Sequence, residues 1–185
     1  MGSLAPPLRT RRLLLREIAT SDVDDHAALF ADPDVLRYLY EAEMTTEEMA
    51  VHFTRRHWRG HPGPGEWCNL AVEYEGVFIG EVGLGLVNET HRSYEIGYVF
   101  SPRFRGMGLA TEATRALVDA AFRDLGAHRV VARLDARNTA SRHLLERLSF
   151  RREAHFVRNE FVKGEWTDEL VYAVLDDEWS STLSR

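Results

Sequence analysis

Cysteine is nearly absent. Cys68 stands alone among 185 residues, so no intramolecular disulfide can form, which fits a reducing compartment. No apolar run approaches the ~20 residues that a membrane-spanning helix needs. The opening residues, Met1-Gly2-Ser3-Leu4-Ala5-Pro6, lack the apolar centre of a secretory signal. An excess of positive charge is missing too. The net charge is −6 and the pI about 5.8, and Arg115, Arg123, Arg129 and Arg133 are scattered over several elements. Binding to a nucleic-acid backbone needs a basic face, so neither nucleic acid nor membrane is expected as a partner. The acidic balance suits a cationic partner somewhat better. His57 and His61 are separated by a glycine at 60 with no third ligand spaced nearby, so no metal site is expected. Repeats, low-complexity tracts and linkers are absent. These absences leave a cytoplasmic protein of one domain over residues 1–185, its core about 8–176, with a homodimer left open.

What is present reads as alternating strands and helices. Leu13 to Ile18 suits a first strand. Helical spacing follows from Ser21-Asp22 to Phe30, then a short turn from Val35 to Leu39. Thr45-Thr46-Glu47-Glu48 has the form of a capping box opening a helix to about His57. Leu70 to Tyr74 and Val77 to Val87 form a hairpin about Glu75-Gly76, and Arg92 to Phe100 a further strand. Gly108 to Leu125 is strongly amphipathic and stops at Gly126. Arg129 to Leu134 is a strand, Asn138 or Thr139 caps a helix to Leu148, and two strands close the chain around Lys163-Gly164. The pattern predicts an α/β (α+β) fold. Its mixed, mostly antiparallel sheet has about seven strands, with helices on both faces.

The most informative segment is Phe100-Ser101-Pro102-Arg103-Phe104-Arg105-Gly106-Met107-Gly108-Leu109-Ala110-Thr111. A strand ends, a loop with two glycines follows, and a long helix begins. The first amides of a helix lack internal partners and, with the helix dipole, form an anion site. Glycines at 106 and 108 let the backbone approach a phosphate closely. The P-loop lysine and hydroxyl are missing, since Leu109-Ala110 stands in their place. The third small residue of the dinucleotide fingerprint is also missing, since Thr111 occupies it.

Arg103-x-x-Gly106-x-Gly108 resembles the pyrophosphate loop of the GNAT acetyltransferase superfamily. The flanking Glu95-Ile96-Gly97-Tyr98 and Gly108 to Ala113 are similar to its RimJ/RimL-like branch, as are Asn138-x-x-Ser141-x-x-Leu144-x-Glu146-x-Leu148-Ser149-Phe150 and Trp166-x-Asp168-x-x-x-Tyr172. The resemblance runs from about Leu8 to Asp176. It implies transfer of an acetyl group from acetyl-CoA to a protein N-terminal α-amine or a small-molecule amine, directly and in a ternary complex. It also implies that Tyr98, Val99 and Phe100 pair with pantetheine, and that the strands at Arg92–Phe100 and Arg129–Leu134 splay to admit it. Arg105, Gly106, Met107, Gly108, Leu109, Ala110 and Thr111 would hold the pyrophosphate, and Asn138 and Ser141 would meet the pantetheine end. Ser149 departs from the motif's glycine. A non-catalytic acyl-CoA-binding module is the alternative, and a phosphate-sugar or nucleotide binder a third reading.

Amide formation needs a neutral amine and a proton for the departing thiolate. Deprotonating a lysine-like amine at pH 7 costs roughly 4–5 kcal/mol, an α-amine about 1 kcal/mol. Glu95 is the candidate base because it precedes the loop at a place resembling a catalytic glutamate of the superfamily; Glu81, Glu160 and Asp168 are its rivals. Ser141 is the candidate acid. The tyrosine that many members carry four residues on is Leu145 here. Cys68 reads as core, and Trp58, Trp67, Tyr38 and Tyr40 as core or rim aromatics that could line an acceptor pocket.

Overall fold

The computed structural model describes residues 2–40, 44–55 and 58–183. The strands are β1 (Leu8–Arg9), β2 (Leu13–Glu17), β3 (Trp67–Tyr74), β4 (Val77–Asn88), β5 (Ser93–Phe100), β6 (Arg129–Asp135), β7 (Arg151–Val162) and β8 (Glu165–Leu175). The helices are α1 (Val23–Phe30), α2 (Pro33–Leu36), α3 (Thr46–Arg55), α4 (Leu109–Asp124), α5 (Thr139–Arg147) and α6 (Asp176–Leu183). All eight strands join one sheet in the order β1-β2-β3-β4-β5-β6-β8-β7, and only β5 and β6 run parallel.

Alternation along the strands divides the side chains between two faces. Leu13, Leu15, Leu70, Val72, Val82, Leu84 and Ile96 point to one face and pack with Leu109, Ala113, Leu117 and Ala121 of α4. Burying each such leucine or valine contributes about 1.5–3 kcal/mol. The other face is covered at its β2–β4 end, where Ile18, Phe53 and Ala71 form a smaller cluster. Further along, this second face carries Asn69, Glu81 and Glu169, all buried. A sheet face built of polar groups is costly unless they have work to do.

The sheet forks at its parallel pair. β5 and β6 are in register only at Ser93–Arg129, Tyr94–Val130 and Glu95–Val131. Beyond that point β6 continues against β8 as far as Asp135, while β5 runs on to Phe100 against β4 alone. The expected splay is therefore present, and Glu95 stands at its apex.

Several local readings hold. In the capping box before α3, Thr45 Oγ1 accepts from the Glu48 amide at 3.2 Å and Glu48 Oε2 from the Thr45 amide at 2.8 Å. Ser149 adopts φ +64° just past α5, the left-handed backbone that suits glycine and costs serine about 1 kcal/mol. Three readings change. The two-residue β1 makes the count eight. A last helix, α6, follows β8 and is anchored by buried Trp179, whose Nε1 donates to Asp119 Oδ1 at 2.6 Å. The short helix before Tyr38 spans Pro33–Leu36, with Asp32 Oδ1 accepting from the Asp34 amide at 2.9 Å. His57 lies outside the described residues. No helix among the described residues is long and apolar enough to cross a membrane.

Candidate active site

After β5 the chain makes one tight turn at Pro102–Phe104 and reaches Gly106 and Gly108, with φ of +78° and +73°. Gly108 is the N-cap of α4 and offers its first amides no side-chain acceptor. A Cβ at Gly106 would meet nothing within 4 Å, and one at Gly108 only Arg12 Nη2 at 3.7 Å. The first amides of α4, with no side-chain cap among the described residues, thus lie at the positive helix end beside two glycines with open space above them, a cradle that fits a phosphate.

The loop is braced from far away in sequence. Arg12 Nη1 donates to the Met107 carbonyl at 2.9 Å and Nε to Glu112 Oε2 at 2.7 Å. Glu112 Oε1 also accepts from Thr10 Oγ1 at 2.6 Å and from the Arg12 amide at 3.0 Å. Partial burial alone would raise the Glu112 carboxyl, but these donors together outweigh it and hold it below its ordinary range. At the outer rim, Arg105 Nη1 lies 3.2 Å from Asp34 Oδ2.

The opposite wall is α5. Asn138 Oδ1 accepts from the Ser141 amide at 3.0 Å, capping the helix and fixing the backbone at Ser141. Between loop and helix runs a cleft of about 660 Å³ lined by Tyr98, Val99, Phe100, Arg105, Gly106, Gly108, Leu109, Ala110, Thr111, Asn138 and Ser141. Every expected cofactor residue lines it except Met107, whose side chain is 42% exposed.

A second cavity, of about 240 Å³, lies over the polar face of the sheet, with Phe30, Tyr38, Tyr40, Trp67, Asn69, Glu81, Glu95 and Arg133 in its wall. Burial raises the Glu95 carboxyl; Arg133, 3.7 Å away, opposes this and the Glu169 charge adds to it. Arg133 is itself shared, since its Nη1 lies 3.2 Å from the buried Glu169 Oε2. Burial also raises the Tyr40 phenol, and Glu169, Asp135 and Glu160 reinforce the shift, so the phenol stays protonated in an acidic surrounding.

The rivals of Glu95 separate by position. Glu81 lines the same cavity and lies 3.9 Å from His26 Nδ1. Glu160 and Asp168 line neither cavity. Asp168 is held below its usual range by the Arg158 amide at 2.9 Å and by His155 at 2.7 Å. Cys68 is buried in the core and burial pushes its thiol up, which makes a poor nucleophile. Trp58 is core, its Nε1 donating to the Leu4 carbonyl at 2.8 Å. His61 bonds Tyr94 at 2.7 Å.

The two cavities meet. Tyr38, Leu39, Tyr98, Val99, Asn138 and Ser141 line both, which sets the Tyr98 phenol and the Ser141 hydroxyl side by side. Tyr38 is thus a lining residue, as its sequence reading allowed, while Leu39 beside it escapes sequence reasoning because it comes from the irregular segment after α2. That segment is held by Lys163 in the β7–β8 turn, whose Nζ donates to the Leu36 carbonyl and, at 3.0 Å, to the Leu39 carbonyl.

Comparison with known proteins agrees with this arrangement. Residues 12–151 match the model of the acetyltransferase (GNAT) domain. The chain is 31% identical over 173 residues to the uncharacterised N-acetyltransferase YnaD of Bacillus subtilis (strain 168), covering 94% of this chain and 99% of that one. It is 27% identical over 110 residues to the spermidine N(1)-acetyltransferase of Escherichia coli (strain K12), covering 60% and 59%. The crystal structure of a GNAT-family acetyltransferase from Bacillus anthracis superposes with a TM-score of 0.83 at 28% identity, over 94% of this chain and all of that one. A forked sheet, a glycine loop at the start of α4 and a matching domain model together make this chain a member of the GNAT family of acetyl-CoA-dependent N-acetyltransferases.

Proposed function

We propose that the chain acetylates a small-molecule amine, with acetyl-CoA in the larger cleft and the amine in the smaller cavity. The observation that carries this is the junction: two cavities of different character share one short wall at Tyr98, Val99 and Ser141. The larger ends in an anion cradle. The smaller is lined by aromatics and by Glu81 and Glu95, which suits a cation with an apolar body, and its volume lies below the ~300–1,000 Å³ of pockets for drug-sized ligands. A spermidine N(1)-acetyltransferase among the similar proteins makes a small amine one acceptor of such domains, and the choice of it here rests on the size and lining of the smaller cavity.

Acetyl-CoA supplies the acetyl group as a thioester; one C–N bond forms, one C–S bond breaks and the amine proton is released. Glu95, raised by burial, accepts that proton directly or through a water. Ser141 directs its hydroxyl at the sulfur as charge builds there. The buried, raised Cys68 thiol supports direct transfer without a covalent enzyme intermediate. The test is a screen of small amines and N-terminal peptides with acetyl-CoA, following free thiol. Turnover on small amines is expected; turnover on peptides alone overturns the acceptor class, and no turnover on either overturns the reading.

Gly106, Gly108 and the first amides of α4 hold the pyrophosphate in this reading. Gly108→Val introduces a side chain into the cradle and strains a backbone at φ +73°. Calorimetry with acetyl-CoA is expected to show at least tenfold weaker binding, about 1.4 kcal/mol. Unchanged affinity in a variant with wild-type circular dichroism overturns the assignment.

A further inference from the structure

The floor of the smaller cavity is made by removing side chains from the sheet. Trp67 and Asn69 alternate on β3 toward this face. Opposite them on β4 stand Gly85 and Gly83, and Gly97 follows on β5. A Cβ at Gly83 would come within 2.1 Å of Asn69 Oδ1. One at Gly85 would come within 2.7 Å of Trp67 Cε2, and one at Gly97 within 2.9 Å of Trp67 Cζ3. Three glycines therefore clear the surface so that an indole and an amide lie flat across β4 toward the fork. Glycine inside a strand weakens it, and here three of them admit the close approach of Trp67 and Asn69, which fixes both side chains flat on the sheet.

Asn69 is 4% exposed, lines the cavity, and its Oδ1 has no hydrogen-bond partner among the described residues. Leaving a buried carbonyl oxygen unmet is costly, and such groups mark places where something else supplies the donor. A primary amine is a donor, and its carbon chain matches the indole. An amide oxygen accepts an N–H without drawing a second proton onto the nitrogen as a carboxylate does. The nitrogen's lone pair is then left free to face Tyr98 and Ser141. The charged groups around this floor are Glu81 on β4, Glu95 on β5 and Arg133 on β6, with His26 of α1 beside Glu81.

We infer that Asn69 Oδ1 receives an N–H of the substrate's amino group while the Trp67 indole carries its alkyl chain, making these two residues determinants of specificity for short primary aliphatic amines. The inference rests on the acetyl-transfer reading for the fate of the amine, but binding is measurable without turnover. The probes are propylamine, butylamine and putrescine, titrated by calorimetry into wild type and Asn69→Leu, each saturated with coenzyme A. Asn69→Leu is expected to bind the amines at least tenfold more weakly, with coenzyme A affinity within twofold of wild type. Its melting temperature should be no lower, because an unmet polar group has been replaced by an apolar one of similar size. Gly83→Ala, whose Cβ must displace the amide oxygen, is expected to show the same loss. Amine affinity unchanged in both variants overturns the inference, as does a wild type that binds none of the amines. Amines that bind through Asn69 without thiol release from acetyl-CoA support the site and overturn acetyl transfer. Thiol release with Asn69→Leu unimpaired does the reverse.

Discussion

Ser141→Ala is expected to lower kcat by roughly 10–10³-fold, at or slightly below the usual range for a proton-transfer group, while acetyl-CoA affinity changes little. The separation is possible because the backbone at this position does not depend on the hydroxyl. The Ser141 amide is held by Asn138 Oδ1, and alanine is a good residue for the first turn of a helix. What the substitution removes is the hydroxyl at the junction of the two cavities. The next turn of α5 presents buried Leu145, which has no proton to give. Tyr98 is the neighbouring donor. Burial raises its phenol, and the Ser141 contact offsets only part of this, so the phenol is a poorer acid than a thiol of pKa near 8.5. Full transfer of its proton to the thiolate is uphill, as it is for the Ser141 hydroxyl, so Ser141 acts by hydrogen-bonding the sulfur as charge builds there. Single-turnover rates with both substrates saturating isolate the step. A wild-type rate where chemistry limits turnover removes Ser141 from the mechanism.

The parts legible in the sequence are those whose function is local in the chain. An anion cradle needs a strand end, two glycines and a helix start within a dozen residues, and Phe100 to Thr111 writes these in order. The Asn138 cap and the Thr45–Glu48 box are local for the same reason. The left-handed backbone at Ser149 follows from the end of one helix. The floor of the smaller cavity is different. Gly83, Gly85 and Gly97 are visible as strand glycines, but their purpose appears only when the register sets them beneath Trp67 and Asn69 of another strand. The Arg12 brace spans about a hundred residues, and the Lys163 clamp on the segment after α2 spans more. No spacing rule reaches that far. α6 was hidden because Asp176-Asp177-Glu178-Trp179 carries little helical periodicity. Its place comes from Trp179 packing on Phe122 and Phe150.

Glu95→Gln is expected to remove most of the rate toward an amine of pKa near 10, within the 10²–10⁴-fold range of general bases, and less toward an α-amine. The side chain stands at the fork, where β5 leaves β6, in the wall of the smaller cavity. Burial is the largest influence on its carboxyl and raises it, Glu169 raises it further, and Arg133 pulls in the opposite direction. The sign for activity follows. Below its raised pKa the carboxyl is protonated and cannot accept the amine proton, so kcat/KM should climb as pH rises through that value and then level. Glutamine keeps the shape and can never be that acceptor, so the variant should lose this acidic limb. The difference between acceptors is set by solution chemistry. Deprotonation at pH 7 costs about 3 kcal/mol more for the amine near 10 than for the α-amine, and the base is needed in proportion. The measurement is a kcat/KM profile against pH for both proteins on both amines. If the two acceptors lose rate equally and the acidic limb survives, Glu95 only positions substrate through Arg133. The role then passes to Glu81, the other carboxylate in the cavity wall.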